Sequence, residues 1–575
     1  MKRLAIIDKE RCKPEKCGSV CRKVCPINRS GEDCIIIEKK AAIEEDLCIG
    51  CGICVKKCPF MAIAVVNLPE ELKEEPVHSY GKNAFRLYRL PAPLPEKVVG
   101  LLGPNGVGKS TALKIIAGKL KPSAGEWEEL AKKFRGTEVQ NHLEKVAKNE
   151  IVISFKPQDI GKIPEMYKGC AKKLLSNVPE TIMSSFNLGH LTGRNISTLS
   201  GGELQRVAIA VCLSKEADLY CIDEPGSFND IEQRVLVSRI IRKFAEESKK
   251  SVIVVEHDLA MLDMLCDNIH ILYGSPGAYG VVSGIKSTRK AVNAYLEGYL
   301  SEENVRIRKS AIIFPEALSS YETSEQLLAF ESLSKKFEHF SLVTDAGGIK
   351  RKEVIGVVGA NALGKTTFLK MLSGLIKPDK GAINTGVKIA YKPQYPKAES
   401  DSTVMDVLSK SSDYGEDWYK RGVILGLGLQ KLLDRAIRTL SGGELQRVAI
   451  ATCLGQDADI LAMDEPSAYI DVETRWELAR SIKNIVNIKN ISAFIVDHDI
   501  QFIDFVSDKI FLFGGEPSKN GYATGPLGKK DGMNAFLKDI GITCRRDPQS
   551  KRPRINKPGS RKDAEQKAEE KYYYE

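Results

Sequence analysis

Leu199–Ala210 reads LSGGELQRVAIA, and Leu440–Ala451 reads LSGGELQRVAIA again, 241 residues later (440 − 199). Twelve identical residues at one offset are an internal duplication. In each copy a Ser and two Gly precede a run whose apolar residues fall, in the first copy, at Leu204, Val207, Ala208 and Val211. That is the spacing of a helix packed on a core. Small residues at a helix N-terminus leave backbone N–H groups free to meet a phosphate, and the helix dipole favours the negative charge. Ser200, Gly201 and Gly202, and Ser441, Gly442 and Gly443, are therefore candidate phosphate contacts. A plain Ser cap with Glu203 or Glu444 as the capping-box acid would explain one copy alone.

Working outward, Val98–Leu102 is an apolar strand running into Gly103-Pro104-Asn105-Gly106-Val107-Gly108-Lys109-Ser110, followed by Thr111. This is the G-x4-GK[ST] loop, whose backbone wraps phosphates. Lys109 is expected to reach the β and γ phosphates and Ser110 to ligate Mg²⁺. Leu219–Ile222 is a second apolar strand, ending in Asp223 and Glu224. Asp223 suits the Mg²⁺ shell, and Glu224 suits the base that orients the attacking water. Val252–Val255 leads to His257, placed to sense the γ-phosphate; Gln158, in Lys156-Pro157-Gln158, is placed to touch Mg²⁺ and the lytic water. All of it recurs as Gly359-Ala360-Asn361-Ala362-Leu363-Gly364-Lys365-Thr366-Thr367, Gln394, Asp464-Glu465 and His498. The phosphate-loop lysines are 256 apart (365 − 109), so the first copy holds 15 extra residues (256 − 241), placed at about 126–149. With Trp127, Phe134, Arg135 and several Lys at broadly helical spacing, that insertion reads either as a solvated hairpin or as a docking element.

The 575 residues exceed one hydrophobic core. No apolar run approaches the roughly 20 residues of a membrane span, and the short apolar run at the start does not suit a signal peptide. A cytosolic protein is expected. The net charge of +10 fits ordinary solubility or a polyanion partner. Nine of 15 cysteines lie in the first 58 residues. Cys48-x2-Cys51-x2-Cys54-x3-Cys58-Pro59 is the spacing that holds [4Fe–4S] clusters, the Cys before Pro ligating the other cluster. Cys12-x4-Cys17-x3-Cys21-x3-Cys25-Pro26 is a variant of it. The crossed rule assigns Cys12, Cys17, Cys21 and Cys58 to one cluster and Cys25, Cys48, Cys51 and Cys54 to the other. A pair of Cys₄ zinc sites is the rival. Cys34, in an apolar run, is expected to be buried and inert.

Phosphate loop, LSGGE stretch, Asp-Glu pair and trailing His together resemble the ATP-binding-cassette superfamily. The resemblance implies α/β fold, two P-loop nucleotide-binding domains in tandem, and each ATP held between one copy's phosphate loop and the other's LSGGE. Lys109, Ser110, Gln158, Asp223, Glu224 and His257 would share a site with Ser441 and Gly443. Lys365, Thr366, Gln394, Asp464, Glu465 and His498 would share one with Ser200 and Gly202. Phe85 or Tyr88, and Phe337 or Phe340, are candidates to stack on adenine. With a two-cluster α+β ferredoxin-like domain in front and no membrane spans, the whole chain resembles ABC class E, the ribosome-recycling factors also called RNase L inhibitor. Asn83–Pro91, Phe134–Asn141, Tyr279–Val282 and the tail Arg545–Lys557 carry that resemblance further.

It implies an iron–sulfur domain at 1–75 and nucleotide-binding domains at 76–295 and 326–535, the first with the insertion as a helix-loop-helix touching the small ribosomal subunit. Hinges would lie at 296–325 and 536–575, the second with a basic tail. The Pro-rich stretch 68–97 would be the connector. The tail's eight Lys or Arg between 545 and 562 suit phosphate contacts or a disordered end. The implied activity is ATP hydrolysis that splits ribosomes after termination or rescue, with ATP, Mg²⁺ and two [4Fe–4S] clusters. Implied partners are the intact ribosome and small subunit through rRNA, a class-one release factor or Pelota-type factor, and initiation factors. A monomer, cytoplasmic and ribosome-associated with a nuclear pool, is expected, with a link to ribosome biogenesis. An iron–sulfur redox ATPase and a nuclease-inhibiting binding module are the alternatives. Three departures bear on equal turnover: Gly226–Asp230 after the first Asp-Glu-Pro, Ala362 for a usual Gly, and Asp497 where the first copy has Glu256.

Overall fold

Every residue of Val98–Leu102 is buried, as in a strand covered on both faces. It lies inside an eight-stranded sheet ordered His78–Ser79, Arg86–Tyr88, Tyr279–Ser287, Asn268–Ser275, Val98–Leu102, Ser251–Val255, Leu219–Asp223, Ile153–Lys156. The last five strands run parallel. Chain leaving the carboxyl ends of neighbouring parallel strands collects at one edge, where such sheets bind ligands. The phosphate loop, Asp223-Glu224 and His257 are therefore neighbours because their strands are. The second copy repeats the order with Ser334–Lys336, Ser341–Thr344, Asn520–Gly528, Lys509–Glu516, Val354–Val358, Ser492–Val496, Ile460–Asp464 and Ile389–Lys392. The fold is α/β, two cassettes in tandem behind a small α+β domain.

The computed structural model describes residues 3–68, 74–314, 325–384, 386–398 and 400–574. Pro69, Glu70 and Glu71 of the connector and 315–324 of the first hinge lie outside the described residues. The chain divides into two compact units, one of residues 1–225, 240–257 and 265–311, the other of 226–239, 258–264 and 312–575. In the first unit, Arg3–Ile7 pairs antiparallel with Ile63–Asn67, and Ile35–Ile37 with Ala41–Ile43. Between them sit short helices bearing the cysteines, and Cys12, Cys21, Cys25, Cys34 and Cys54 form part of that domain's core.

The insertion is a helix pair, Trp127–Lys133 and Glu138–Ala147. Its inner face, Leu130, Ala131, Val139 and Leu143, joins the cassette core, and His142 Nε2 lies 2.8 Å from the Ile116 carbonyl. A solvated hairpin does not describe it. The helices Gly201–Leu213 and Gly442–Leu454 form where the periodicity places them, but the first is buried over a wider face than the spacing marks. Ala208 and Val211 are only half-buried, whereas Gln205, Ile209, Ala210 and Cys212 are inside, because the helix is packed on more than one side, against Ile153–Lys156 and Lys172–Leu175.

The basic tail is folded. Cys544–Arg546 pairs with Pro553–Ile555, and Arg561–Ala568 is a helix. Arg552 is 0% exposed and grips Asp263, Nη2 lying 2.9 Å from Oδ1. That residue is unavailable to a phosphate backbone. No helix among the described residues is long and apolar enough to cross a membrane.

Candidate active sites and metal centres

Each phosphate-loop lysine is curled across its own loop. Lys109 Nζ donates to the carbonyls of Gly103 at 2.8 Å and Pro104 at 2.6 Å; Lys365 Nζ donates to Gly359 at 2.7 Å and Ala360 at 2.5 Å. Burial lowers Lys365 to about 8. Gly108, at φ 89°, is pressed by Phe85, whose Cζ would lie 2.6 Å from any Cβ there. Phe340 sits likewise against Gly364. Tyr88 is wholly buried with its ring edge-on to Tyr279, so of the two aromatics before the first loop only Phe85 borders it. Tyr80 joins it there, its Oη 3.2 Å from Thr111 Oγ1. Ala362 occupies a left-handed backbone position (φ 60°) that Gly106 occupies at φ 78° in the first loop, a conformation that strains a residue bearing a Cβ.

Ser110 stands beside Asp223 and lowers it, and Thr366 Oγ1 lies 2.6 Å from Asp464 Oδ2. Burial, with Glu224 next to it, raises Asp223 to about 6; burial also raises Asp464. In both, Oδ1 is buried and without a hydrogen-bond partner among the described residues. A buried, unspent carboxylate oxygen beside a hydroxyl fits a hydrated Mg²⁺.

Glu224 and Glu465 are both left-handed, at φ 49° and 46°, the kind of outlier that gathers at functional sites. Gln158 Nε2 donates to Glu224 Oε1 at 2.8 Å and Gln394 Nε2 to Glu465 Oε1 at 2.6 Å. His257 Nε2 stands 3.6 Å from Glu224 Oε1, and His498 Nε2 stands 3.3 Å from Glu465 Oε1. Burial would raise Glu465, but the imidazole of His498 beside it and the bond from Gln394 outweigh it and hold it at about 2.

Two further pairs escaped the motif reading. Lys156 Nζ reaches the carbonyls of Asp223 (2.7 Å) and Glu224 (3.3 Å); Lys392 Nζ reaches those of Asp464 (2.7 Å) and Glu465 (3.2 Å). Gln205 and Gln446 donate to the same glutamate carbonyls at 2.6 and 2.7 Å. The signal was present: Lys stands two residues before each Gln, and Gln four after each Gly201 or Gly442.

Ser200 and Ser441 cap their helices in full capping boxes with Glu203 and Glu444, and Arg194 and Arg435 brace those acids. The cap leaves Gly201 exposed and Gly202 half-exposed; Gly442 is exposed and Gly443 half-exposed. Ser200 belongs to the unit of Lys109, and Ser441 to that of Lys365. Within the second unit, residues from the first copy meet the second copy's loop. Asn361 N donates to Asp230 Oδ2 at 2.8 Å, and Phe228 is edge-on to Tyr469 at 5.8 Å.

The thiols fall into two groups. Burial raises Cys21, with Cys17, Cys58 and Cys12 as its thiol neighbours. Burial also raises Cys54, to about 11, with Cys48, Cys51 and Cys25 around it. Cys25, Cys48, Cys51 and Cys54 line one cavity. Backbone N–H groups of Ala41 and Ala62 donate to the sulfurs of Cys12 and Cys58, each at 3.4 Å, as they do to cluster thiolates. Both sets fit a four-thiolate cluster. Cys34 is buried as expected, yet it borders the same cavity beside Cys25 and Cys48, where burial pushes it up to about 12.

Residues 94–227 and 345–468 match the family described as ABC transporter. Residues 3–33 match the possible Fer4-like domain in RNase L inhibitor, and 41–64 the 4Fe-4S binding domain. The translation initiation factor RLI1 of Saccharomyces cerevisiae is 41% identical over 100% of this chain and 98% of its own. A structure of ribosome-bound archaeal Pelota and ABCE1 aligns with TM-score 0.95 at 48% identity, covering 100% of this chain and 99% of that one. A complex of archaeal ribosomal stalk protein aP1 with archaeal ribosome recycling factor aABCE1 aligns at 0.84 and 47%, covering 88% and 100%. The cofactors are accordingly ATP with Mg²⁺ and [4Fe–4S] clusters, and this chain belongs to the ABC class E, or RNase L inhibitor, family of twin-cassette ATPases.

Proposed function

We propose that this ATPase recycles ribosomes: ATP drives the two cassettes together, and that closure splits the ribosome after termination or rescue, leaving the protein on the small subunit. The observation that carries the reading is the bond from Asn361 N to Asp230 Oδ2. The chain just past the first Asp-Glu pair meets the second phosphate loop, as a head-to-tail pair sharing its nucleotides requires. Lys109, Ser110, Gln158, Asp223, Glu224 and His257 then work with Ser441 and Gly443. Lys365, Thr366, Gln394, Asp464, Glu465 and His498 work with Ser200 and Gly202.

Asp223 with Ser110, and Asp464 with Thr366, would hold Mg²⁺, which offsets charge on the transferred phosphoryl group. Glu224 and Glu465, aimed by Gln158 and Gln394, orient the attacking water, and the histidines sit on the same carboxylates. Moving a closure equilibrium from 1:99 to 99:1 takes about 5.5 kcal/mol of differential binding, within reach of two enclosed nucleotides. Hydrolysis restores the open form.

The chain is apportioned as iron–sulfur domain 1–75, cassettes 76–295 and 326–535, and hinges 296–325 and 536–575. Cys12, Cys17, Cys21 and Cys58 would hold one cluster and Cys25, Cys48, Cys51 and Cys54 the other. Bound there, the clusters would cross-link the cysteine-bearing helices and brace this small domain. Partners are the ribosome and its small subunit, a release factor or Pelota-type factor, the stalk, and initiation factors. The protein works as a cytoplasmic, ribosome-associated monomer; a nuclear pool is the finer part of the reading, and fractionation tests it. The deciding experiment is sedimentation of intact ribosomes with this protein, a Pelota-type factor and ATP. Free subunits are expected, with the protein on the small one when a non-hydrolysable analogue replaces ATP; intact ribosomes in every arm refute the reading.

A further inference from the structure

We propose that Lys156 with Gln205, and Lys392 with Gln446, are positioning residues that fix the left-handed turn at the catalytic glutamate and tie it to the helix carrying the same cassette's LSGGE. The inference rests on the reading of Glu224 and Glu465 above.

A glutamate at φ 49° or 46° holds an unfavourable backbone conformation, and strain of about 1–3 kcal/mol persists only where the surroundings over-determine it. They do so here. The N–H of Glu224 donates to Val255 O at 2.9 Å and that of Glu465 to Val496 O at 2.8 Å, extending the sheet. The carbonyl then turns inward and accepts from both a buried ammonium and a buried carboxamide. Gln205 is 0% exposed, and Lys156, Lys392 and Gln446 are each 1% exposed. An uncompensated buried ammonium is costly, so this one is held for what it grips. Its charge is met by Asp223, Glu224 and Glu256 in the first copy and by Asp464, Glu465 and Asp497 in the second.

The three donors come from two elements. Strand Ile153–Lys156 supplies Lys156 to the glutamate's carbonyl and, two residues on, Gln158 to its carboxylate. Helix Gly201–Leu213 supplies Gln205, one turn after Ser200-Gly201-Gly202. A shift of that helix as its N-terminus takes up a phosphate therefore pulls on the glutamate of its own cassette.

The test uses the full chain with its clusters and reads steady-state ATP hydrolysis. Lys156→Met, which keeps the length and removes the donor, is placed in two parents. In Glu465→Gln turnover comes from Glu224; in Glu224→Gln it comes from Glu465. Lys156→Met is expected to lower kcat at least ten-fold in the first parent and less than three-fold in the second, with KM for ATP within two-fold in both. Gln205→Leu, which removes one neutral donor, carries the same expectation if Lys156→Met fails to fold. Equal losses in both parents, or a loss expressed in KM rather than kcat, overturn the clamp. Parents that hydrolyse at the unmodified rate overturn the roles of the two acids, and the clamp with them.

Discussion

Asn83→Ala should loosen the iron–sulfur domain from the first cassette, and its size can be worked from four contacts. Asn83 sits, 2% exposed, in a hairpin between His78–Ser79 and Arg86–Tyr88. Its Nδ2 donates to the carbonyls of Ala5 and Ile43, both at 3.0 Å, and its Oδ1 accepts from Ile43 N at 2.8 Å. Its own carbonyl accepts from Ile7 N at 2.9 Å. Alanine keeps the last bond and orphans the other three partners. An unsatisfied buried group costs about 1–3 kcal/mol; allowing water to reach one of the three, about 2–6 kcal/mol is lost. At about 1.4 kcal/mol per decade, the Ile43 amide proton should exchange roughly 30-fold to 10⁴-fold faster, with Ile7 following if the domain opens as a unit. The control is Lys82→Ala. Lys82 is the neighbouring residue, and its pair with Glu44 is half exposed, so it should cost under about 1 kcal/mol. Hydrogen exchange resolved at Ile7 and Ile43 reads both. Less than ten-fold acceleration at Ile43, or an equal effect of Lys82→Ala, refutes the reasoning. The same hairpin carries Phe85 and Tyr80 to the first phosphate loop, so loss of the lock should also alter nucleotide affinity at that loop.

His498→Ala removes the leading contact that holds Glu465 at about 2, leaving burial to push its carboxyl up. Ionised Glu465 contributes stability present above its ordinary 4.5 and lost as pH falls toward 2, and that contribution shrinks in the variant. In a Glu224→Gln parent, the acid limb of the ATPase pH profile should move to higher pH; an unmoved limb refutes the contact. Asp263→Asn leaves the buried Arg552 without its counter-charge and should cost about 3–5 kcal/mol, read as a lower unfolding midpoint in denaturant; a change under about 1 kcal/mol refutes it. Ala362→Gly relieves a left-handed alanine worth about 1–2 kcal/mol and spends about 0.5–1 kcal/mol of it on unfolded-state freedom. Stability should hold or rise by up to about 1.5 kcal/mol, and a clear loss refutes strain at this position.

The motifs could place the strand ends, the loops and both acids, because each is read from residues adjacent in sequence. What they could not place is whatever depends on which side of a helix or strand faces inward. Gln205 lies off the stripe Leu204, Val207, Ala208, Val211, so a periodicity argument puts it in solvent, yet it is buried because a second surface covers the helix. Lys156 and Lys392 read as strand-end charges and are among the most buried side chains. The tail's basic run reads as a solvated end, but Arg552 is spent on Asp263, 289 residues away, a pairing no local pattern can signal. Cys34 was legible as buried, while its place beside Cys25 and Cys48 depends on how two loops close.

The two copies also serve as each other's control. Around the catalytic glutamates they agree closely: φ 49° and 46°, lysine to aspartate carbonyl 2.7 Å in both, glutamine to glutamate carbonyl 2.6 and 2.7 Å. They part elsewhere, at the phosphate loop, where Ala362 stands at the position of Gly106, and behind the acids. There Asp497 accepts the Ser467 hydroxyl at 2.6 Å and its N–H at 2.9 Å. The first copy has Gly226 and Glu256 at those positions. Glycine offers no hydroxyl, and Glu256, one methylene longer, accepts from the backbone N–H of His257 at 2.7 Å. The Ser467 hydroxyl bond, which ties the loop after the second Asp-Glu pair to Asp497, is thus one the first copy has no side chain to make. Unequal turnover at the two sites would then arise in how firmly the loop after the acids is held, because the turn that presents the glutamate is built alike in both.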